Sequence, residues 1–436
     1  MREKRIVRQG LLIFAGFLVT FSEGLKTLLF GLPIVHLGNA IIFALFAEIL
    51  ITKFLGEFKR RDMFRISSET RLIWVWFISF LFVGSLSALI FHPSIILYFW
   101  SLRSYLRFFA LFIDCVYLFD ADSEDRFYKI LEVVVVVHIA ITLIQFVFFG
   151  IRWDYLNGIF GNLMGGNSGV NALLVINSCV CLYRFYLKKL RWQWLMFHLI
   201  WMIADAAIVE LKAYFIEITV IVIAYTVLTK KFRDMAKIFA FIIPLAIIGI
   251  IVMKILYPYT SGGNFLNQIV VWLKTPHHDN HDSLSRVTQL SGMTEPILSY
   301  ARSRNEKAGI ISLLAGLGLG NAEFGTKDIL TSEFYWINER LWYRDFLISM
   351  LYAETGIIGL IIYNSLWVFM GIKGFLDYKH RSSAVALLKT LLAVSTGLIV
   401  LYDVTLRNNY GYIMWMALAI PYIICKTGVI GSKALE

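Results

Sequence analysis

Long apolar runs, separated by short segments that collect the charges, dominate this chain. The stretch 238–253 contains no charged residue at all. About twenty helical residues cross a hydrocarbon core of about 30 Å, and a bilayer interior offers the backbone no water. Runs of this kind therefore predict transmembrane helices. The ten-residue alternation of a barrel strand does not occur in the pattern. The runs lie at 10–31, 34–54, 72–92, 95–118, 129–149, 169–187, 192–210, 212–229, 238–257, 346–372, 384–403 and 409–427. The predicted fold class is all-α: a polytopic transmembrane helix bundle of about twelve spans with one large extracytoplasmic loop carrying short helices.

The connecting segments orient this bundle. Lys and Arg in short loops mark the cytoplasmic side. Segments 1–9 (Arg2, Lys4, Arg5, Arg8), 53–71 (six basic residues, Lys53 to Arg71), 184–191 (Arg184, Lys188, Lys189, Arg191), 230–237 (four, Lys230 to Lys237) and 373–381 (Lys373, Lys379, Arg381) all fall on one side. Segment 119–128 is more acidic than basic, but acidic residues weigh little in this rule. Both termini then face the cytoplasm. The organisation is about nine spans over 1–257, a loop over 258–345 and about three spans over 346–436. A loop of that length is functional or disordered. Its apolar patches at 265–273 and 309–319 predict short helices on the membrane surface. The basic N-terminus precedes a long apolar stretch without a small-residue cleavage site, which predicts a first span rather than a cleaved signal. No internal repeat stands out.

Composition agrees: 58% of residues are hydrophobic and 16% charged, against about 45–50% and about 25% in ordinary soluble domains. The net charge of +11 (41 basic minus 30 acidic) could suggest nucleic acid, but its concentration between apolar runs fits a cytoplasmic rim, and no nucleic-acid partner is expected. The four cysteines lie in or beside apolar segments, which argues against a disulfide framework.

Charges inside spans are costly and need a reason. Arg103 and Arg107 share a helix face at i, i+4, with Asp114 seven residues on. They read either as an internal Arg–Asp pair or as a cationic stripe for an anionic substrate. Lys212 can pair with Glu210 or point into an outward cavity. The loop carries Arg286, Arg302, Arg304, Lys307, Lys327, Arg340 and Arg344. Arginine grips phosphate bidentately, which suits an amphiphile with a phosphate or pyrophosphate head. A solvated loop with balancing acidic residues is the competing reading. His277-His278-Asp279-Asn280-His281-Asp282 is more crowded than metal motifs are, and reads as a polar loop. Gly316-Leu-Gly-Leu-Gly320 lacks the Lys-Ser/Thr of a phosphate-binding loop.

That glycine run, followed by Trp342-Tyr-Arg-Asp345 and Ala353-Glu354-Thr355-Gly356-Ile357-Ile358-Gly359, resembles the O-antigen polymerase and O-antigen ligase superfamily. Ser285-Arg286, Lys212-Ala213 and Phe160-Gly161-Asn162 through Asn167-Ser168-Gly169 resemble further positions of that family. The resemblance spans the whole architecture, with its sequence signal in roughly a third of the chain.

The resemblance implies a polysaccharide polymerase, transferring glycan repeat units from undecaprenyl pyrophosphate with inversion at the anomeric carbon. Cations stabilise the departing pyrophosphate and a base deprotonates the acceptor hydroxyl. Lys212 and Arg286 occupy the family-like cationic positions. Arg103, Arg107, Arg302, Arg304, Arg340 and Arg344 are candidate substrate-binding residues. Family ligases place a His before the tenth span where this chain has Tyr343-Arg344-Asp345-Phe346. That difference favours a polymerase and makes Asp345 the candidate base. The implied partners are lipid-linked oligosaccharide as donor and acceptor, the lipid bilayer, a chain-length regulator and a flippase. No cofactor or metal is implied. A ligase, or a transporter or flippase of lipid-linked oligosaccharide, is the alternative reading.

Overall fold

The computed structural model describes residues 2–28, 32, 34–57, 68–162, 164–230, 232–257, 265–276 and 283–427. The protein is all-helical, with no strand among the described residues. The helices are α1 (Arg2–Thr20), α2 (Ser22–Leu28), α3 (Ile34–Glu57), α4 (Ser68–Phe91), α5 (Ile95–Leu118), α6 (Ala121–Val147), α7 (Asn167–Tyr186), α8 (Trp192–Ile208), α9 (Lys212–Thr229), α10 (Phe232–Leu256), α11 (Phe265–Lys274), α12 (Ser291–Arg304), α13 (Gly309–Ala315), α14 (Glu333–Asn338), α15 (Leu347–Arg381), α16 (Ala384–Val400) and α17 (Gly411–Thr427). Among the described residues, seven stretches are long and apolar enough to cross a membrane, in α3, α4, α5, α6, α7, α9 and α15. Each expected span has a helix in its place. The first is divided, because the chain turns at Phe21 and α2 lies against the Gly158–Phe160 turn. There Gly24 comes so close that a Cβ would meet the Ile159 carbonyl at 2.0 Å.

Local chemistry fixes several helix starts. The Asp120 carboxylate accepts from the Ser123 N–H at 3.0 Å, and the Ser123 hydroxyl accepts from the Asp120 N–H at 2.7 Å. This reciprocal cap satisfies donors that a helix start otherwise orphans. The same turn anchors α1, whose Gln9 amide donates to the Leu118 carbonyl at 2.8 Å. The Tyr186 hydroxyl donates to the Ser382 carbonyl. The start of α1 thus lies beside the α5–α6 turn, and the end of α7 beside the α15–α16 turn.

α5 and α7 form the centre, and α17, α16 and α3 pack around them. α10 lies on the outside against α8, and its Ile247, Ile248, Ile251 and Ile255 are exposed. Exposed isoleucines in a row suit hydrocarbon rather than water.

The segment between α10 and α15 is organised around its own apolar core. Phe91, Met293, Ile297, Tyr300, Phe334, Tyr335, Tyr343 and Phe346 pack together. Helices do form at the two apolar patches, but α13 does not simply rest on the bundle. With the strip Gly316–Gly320 it wedges between α4, α5 and α15. The Leu319 N–H donates to the Gly84 carbonyl at 3.1 Å. The Ser87 hydroxyl donates to the Ala315 carbonyl at 2.5 Å.

The wedge meets α15 where that helix is broken. Gly356 has φ 63° and ψ −167°, outside helical geometry. The break removes the normal i+4 donors from the carbonyls before it. Leu317 N–H takes the Ala353 carbonyl at 2.7 Å, and Gly318 N–H takes the Glu354 carbonyl at 2.9 Å. Irregular backbone at this depth is tolerable when protein satisfies it. Gly316, Gly318 and Gly320 all have positive φ, and a Cβ on Gly318 would lie 2.3 Å from the Ala88 nitrogen. Glycine is required there on both counts.

Candidate functional site

Two polar groups converge where the packed segment 283–346 meets the helix ends, and the short connection between α16 and α17 joins them. In the first, Arg407 sits between two carboxylates. Its Nη2 lies 2.5 Å from Glu323 and 3.1 Å from Glu354. Glu354 also accepts from Ser101 at 2.8 Å, Tyr105 at 2.7 Å and the Gly320 N–H at 3.1 Å. All three charged side chains are buried. Burial pushes the Glu323 carboxyl up to about 7, with Arg407 opposing the shift and Glu354 adding to it. Burial alone would lower Arg407, but Glu323 and Glu354 together hold it above the ordinary arginine range.

Arg107 supports this group from α5. It donates to the Arg407 carbonyl at 2.5 Å and to Asn409 Oδ1 at 3.0 Å. Arg103, one turn earlier, stacks on Trp100 at 4.6 Å and feels the charge of Glu323. The internal Arg–Asp pair considered from sequence does not form: both Asp114 oxygens are buried without a hydrogen-bond partner among the described residues. Glu354 thereby ties α5, the glycine strip and the α16–α17 connection together.

The second group surrounds Arg286. Its guanidinium stacks on Trp272 at 4.1 Å and donates to the Trp272 carbonyl at 3.0 Å. Burial lowers its pKa, while Asp403, Tyr402, Asp154 and Asp345 raise it. An arginine remains charged under such a shift. Asp403 accepts from the Ser168 hydroxyl at 2.6 Å and the Thr405 N–H at 2.6 Å. Asp154 accepts from Asn167 at 2.7 Å. Behind them, Tyr402 donates to Glu217 at 2.8 Å, and Asn171 donates to the same carboxylate at 2.8 Å. Gln289 donates to the Leu401 carbonyl at 2.5 Å and accepts at its own carbonyl from Ser349 at 2.7 Å, which fixes the segment carrying Arg286.

The remaining expected residues distribute as follows. Asp345 is partly exposed, with Arg344 Nε 3.8 Å from its carboxylate. Arg344 stacks on Phe324 at 4.2 Å and Trp342 at 4.6 Å, and donates to the Tyr335 hydroxyl at 2.8 Å. Lys212 pairs with Glu210 at 3.0 Å, at the corner between α8 and α9. Arg302, Arg304 and Arg340 are exposed, and Arg304 pairs with Glu333. Asp345 thus lies within electrostatic reach of Arg286, Arg103 and Arg107 stand one turn apart on α5, and Arg302 and Arg304 are on the surface. The His277–Asp282 run lies outside the described residues.

Sequence reasoning missed Glu323, Arg407, Asp403 and Asp154. The signal for two of them was present: Asp403 and Arg407 stand between two apolar runs at i, i+4. A span boundary drawn through them concealed it.

Chemically, the second group offers a cation near several carboxylates, with an aromatic wall from Trp272 and Tyr402. That combination can hold a polar ligand, accept a proton and stabilise developing charge of either sign. No protein-family model matches the chain, and no curated protein matches it.

Proposed function

We propose that the chain is a polysaccharide polymerase of the cytoplasmic membrane, an inverting glycosyltransferase that uses undecaprenyl-pyrophosphate-linked glycan repeats. In this reading about twelve helices cross the bilayer, both termini are cytoplasmic, and the segment 258–345 roofs the outer face. The observation that carries it is that Arg286 of that segment stacks on Trp272 and feels the charges of Asp403, Asp154 and Asp345 where the segment meets the helix ends.

The reaction assigns each group a task. Asp345, partly exposed at the edge of the group, takes the proton from the acceptor hydroxyl. The resulting oxygen attacks the anomeric carbon as the bond from that carbon to the pyrophosphate oxygen breaks. Arg286, together with Lys212, stabilises the charge gathering on the departing undecaprenyl pyrophosphate. Asp403, fixed by Ser168 and Thr405, sets its negative charge where Arg286 feels it. Aromatic faces such as Trp272 and Trp342 suit sugar rings.

The test is elongation in vitro. Purified protein in liposomes, given lipid-linked repeat units and no nucleotide, should produce a ladder of longer lipid-linked glycans. Elongation that survives Lys212→Ala combined with Arg286→Ala would overturn the mechanism. Translocation of the lipid-linked unit without any growth would instead make the protein a transporter.

A further inference from the structure

A groove of about 440 Å³ opens on the flank of the bundle between α6 and α8. Val133 and Val136 from α6 face Trp194 and Phe197 from α8, with Glu132 and His198 as its polar lining. The valines and both aromatics are exposed. Glu132 is neutralised by an ion pair with Arg184. The groove lies toward the α7–α8 turn, away from the helix ends that hold Arg286 and Arg407.

Its mouth is basic. Leu190 lines the groove and sits in that turn, so Lys188, Lys189 and Arg191 stand beside it, all exposed. Lys189 feels the acidic Glu124 and Asp125 of α6. Lys188 and Arg191 have no ion-pair partner among the described residues. An apolar trough on the side of long apolar helices, ending at unbalanced cations, complements one kind of molecule: an aliphatic chain with a negative headgroup.

We propose that this groove is a binding site for an anionic phospholipid. One acyl chain lies against Val133, Val136, Trp194 and Phe197, and the phosphate sits at Lys188 and Arg191. Free phosphate would have no use for the apolar trough, and a neutral lipid would have none for the unbalanced cations. The site is independent of the glycosyl-transfer reading, because it lies toward the opposite ends of the helices.

The test uses the full chain in nanodiscs containing equal phosphatidylglycerol and phosphatidylcholine, with retained lipid counted by native mass spectrometry. The expected result is a preference for phosphatidylglycerol of about thirtyfold, given the usual attraction of two surface cations for anionic headgroups. Lys188→Ala with Arg191→Ala should abolish that preference, and both side chains are exposed, so the fold should survive. Val136→Trp should fill the trough and reduce retention of either lipid. Equal retention of both lipids by the unaltered chain, a preference that persists in the double variant, or a bound species with the mass of a peptide would each overturn the proposal.

Discussion

The guanidinium of Arg407 lies 3.1 Å from the carboxylate of Glu354, and the same nitrogen reaches Glu323 at 2.5 Å. One cation, from the α16–α17 connection, thus compensates two buried anions, one from the segment after the glycine strip and one from α15. Replacing it with Ala leaves both carboxylates uncompensated. Removing one partner of a buried pair typically costs about 3–5 kcal/mol. Arg407→Ala should lower the melting temperature in detergent sharply, whereas Glu354→Gln, which keeps the acceptor for Ser101, should cost less. Thermal unfolding monitored by circular dichroism checks both.

Glu323 gives this cluster a pH dependence. Its carboxyl moves from an ordinary 4.5 to about 7 in the folded protein, so the folded state binds the proton more tightly. Stability contributed by that proton is fully present below the unfolded value and is lost as pH rises through the folded one. Melting temperature should therefore fall between about pH 4.5 and pH 7, and Glu323→Gln should flatten the dependence.

The break at Gly356 predicts intolerance of any side chain. A Cβ there would lie 2.4 Å from the Leu314 carbonyl, and φ is 63°. A left-handed conformation alone costs roughly 1–2 kcal/mol for other residues, and the contact adds to it. Gly356→Ala and Gly318→Ala should both reduce the yield of folded protein, while Gly150→Ala, with nothing near its Cβ, should suffer only the backbone cost. Size-exclusion profiles of the three variants provide the comparison.

Arg286→Lys keeps the charge but loses the planar face that stacks on Trp272. It should slow glycan elongation by about 10²–10³, the range seen when a group stabilising transition-state charge is removed. Asp345→Asn should cost about 10²–10⁴, as expected for a lost general base. Asp345→Asn should melt near the temperature of the unaltered protein, since Asp345 is partly exposed, and Arg286→Lys somewhat below it, since the stacking on Trp272 is lost. Elongation assays paired with unfolding curves separate the chemical effect from the structural one.

The positions of the long helices were legible because membrane insertion imposes a simple rule on every residue they contain. The span expected at 212–229 coincides with α9 (Lys212–Thr229), and the one at 95–118 with α5 (Ile95–Leu118). The turn at Phe21 and the break in α15 were not legible, because each depends on a distant segment fitting against it: Ile159 in one case, Leu314 in the other. The site was legible in part. Arg286 and Asp345 carried a signal because a basic loop and a family-like motif drew attention to them. Glu323, Arg407 and Asp403 owe their importance to contacts across the fold, and isolated charges near span boundaries carry no local mark of such contacts.

The broken helix also has a consequence for how the protein is made. The facing ends of α4 and α5 enclose a notch that the glycine strip fills, and the strip emerges from the ribosome long after them. The carbonyls of Ala353 and Glu354 emerge later still and need the same strip. The upper part of the bundle must therefore stay unsealed during insertion, closing only when the loop folds back and α15 arrives to grip it. Interrupting synthesis between those events would leave polar backbone facing lipid, the kind of half-built state that membrane quality control is suited to detect.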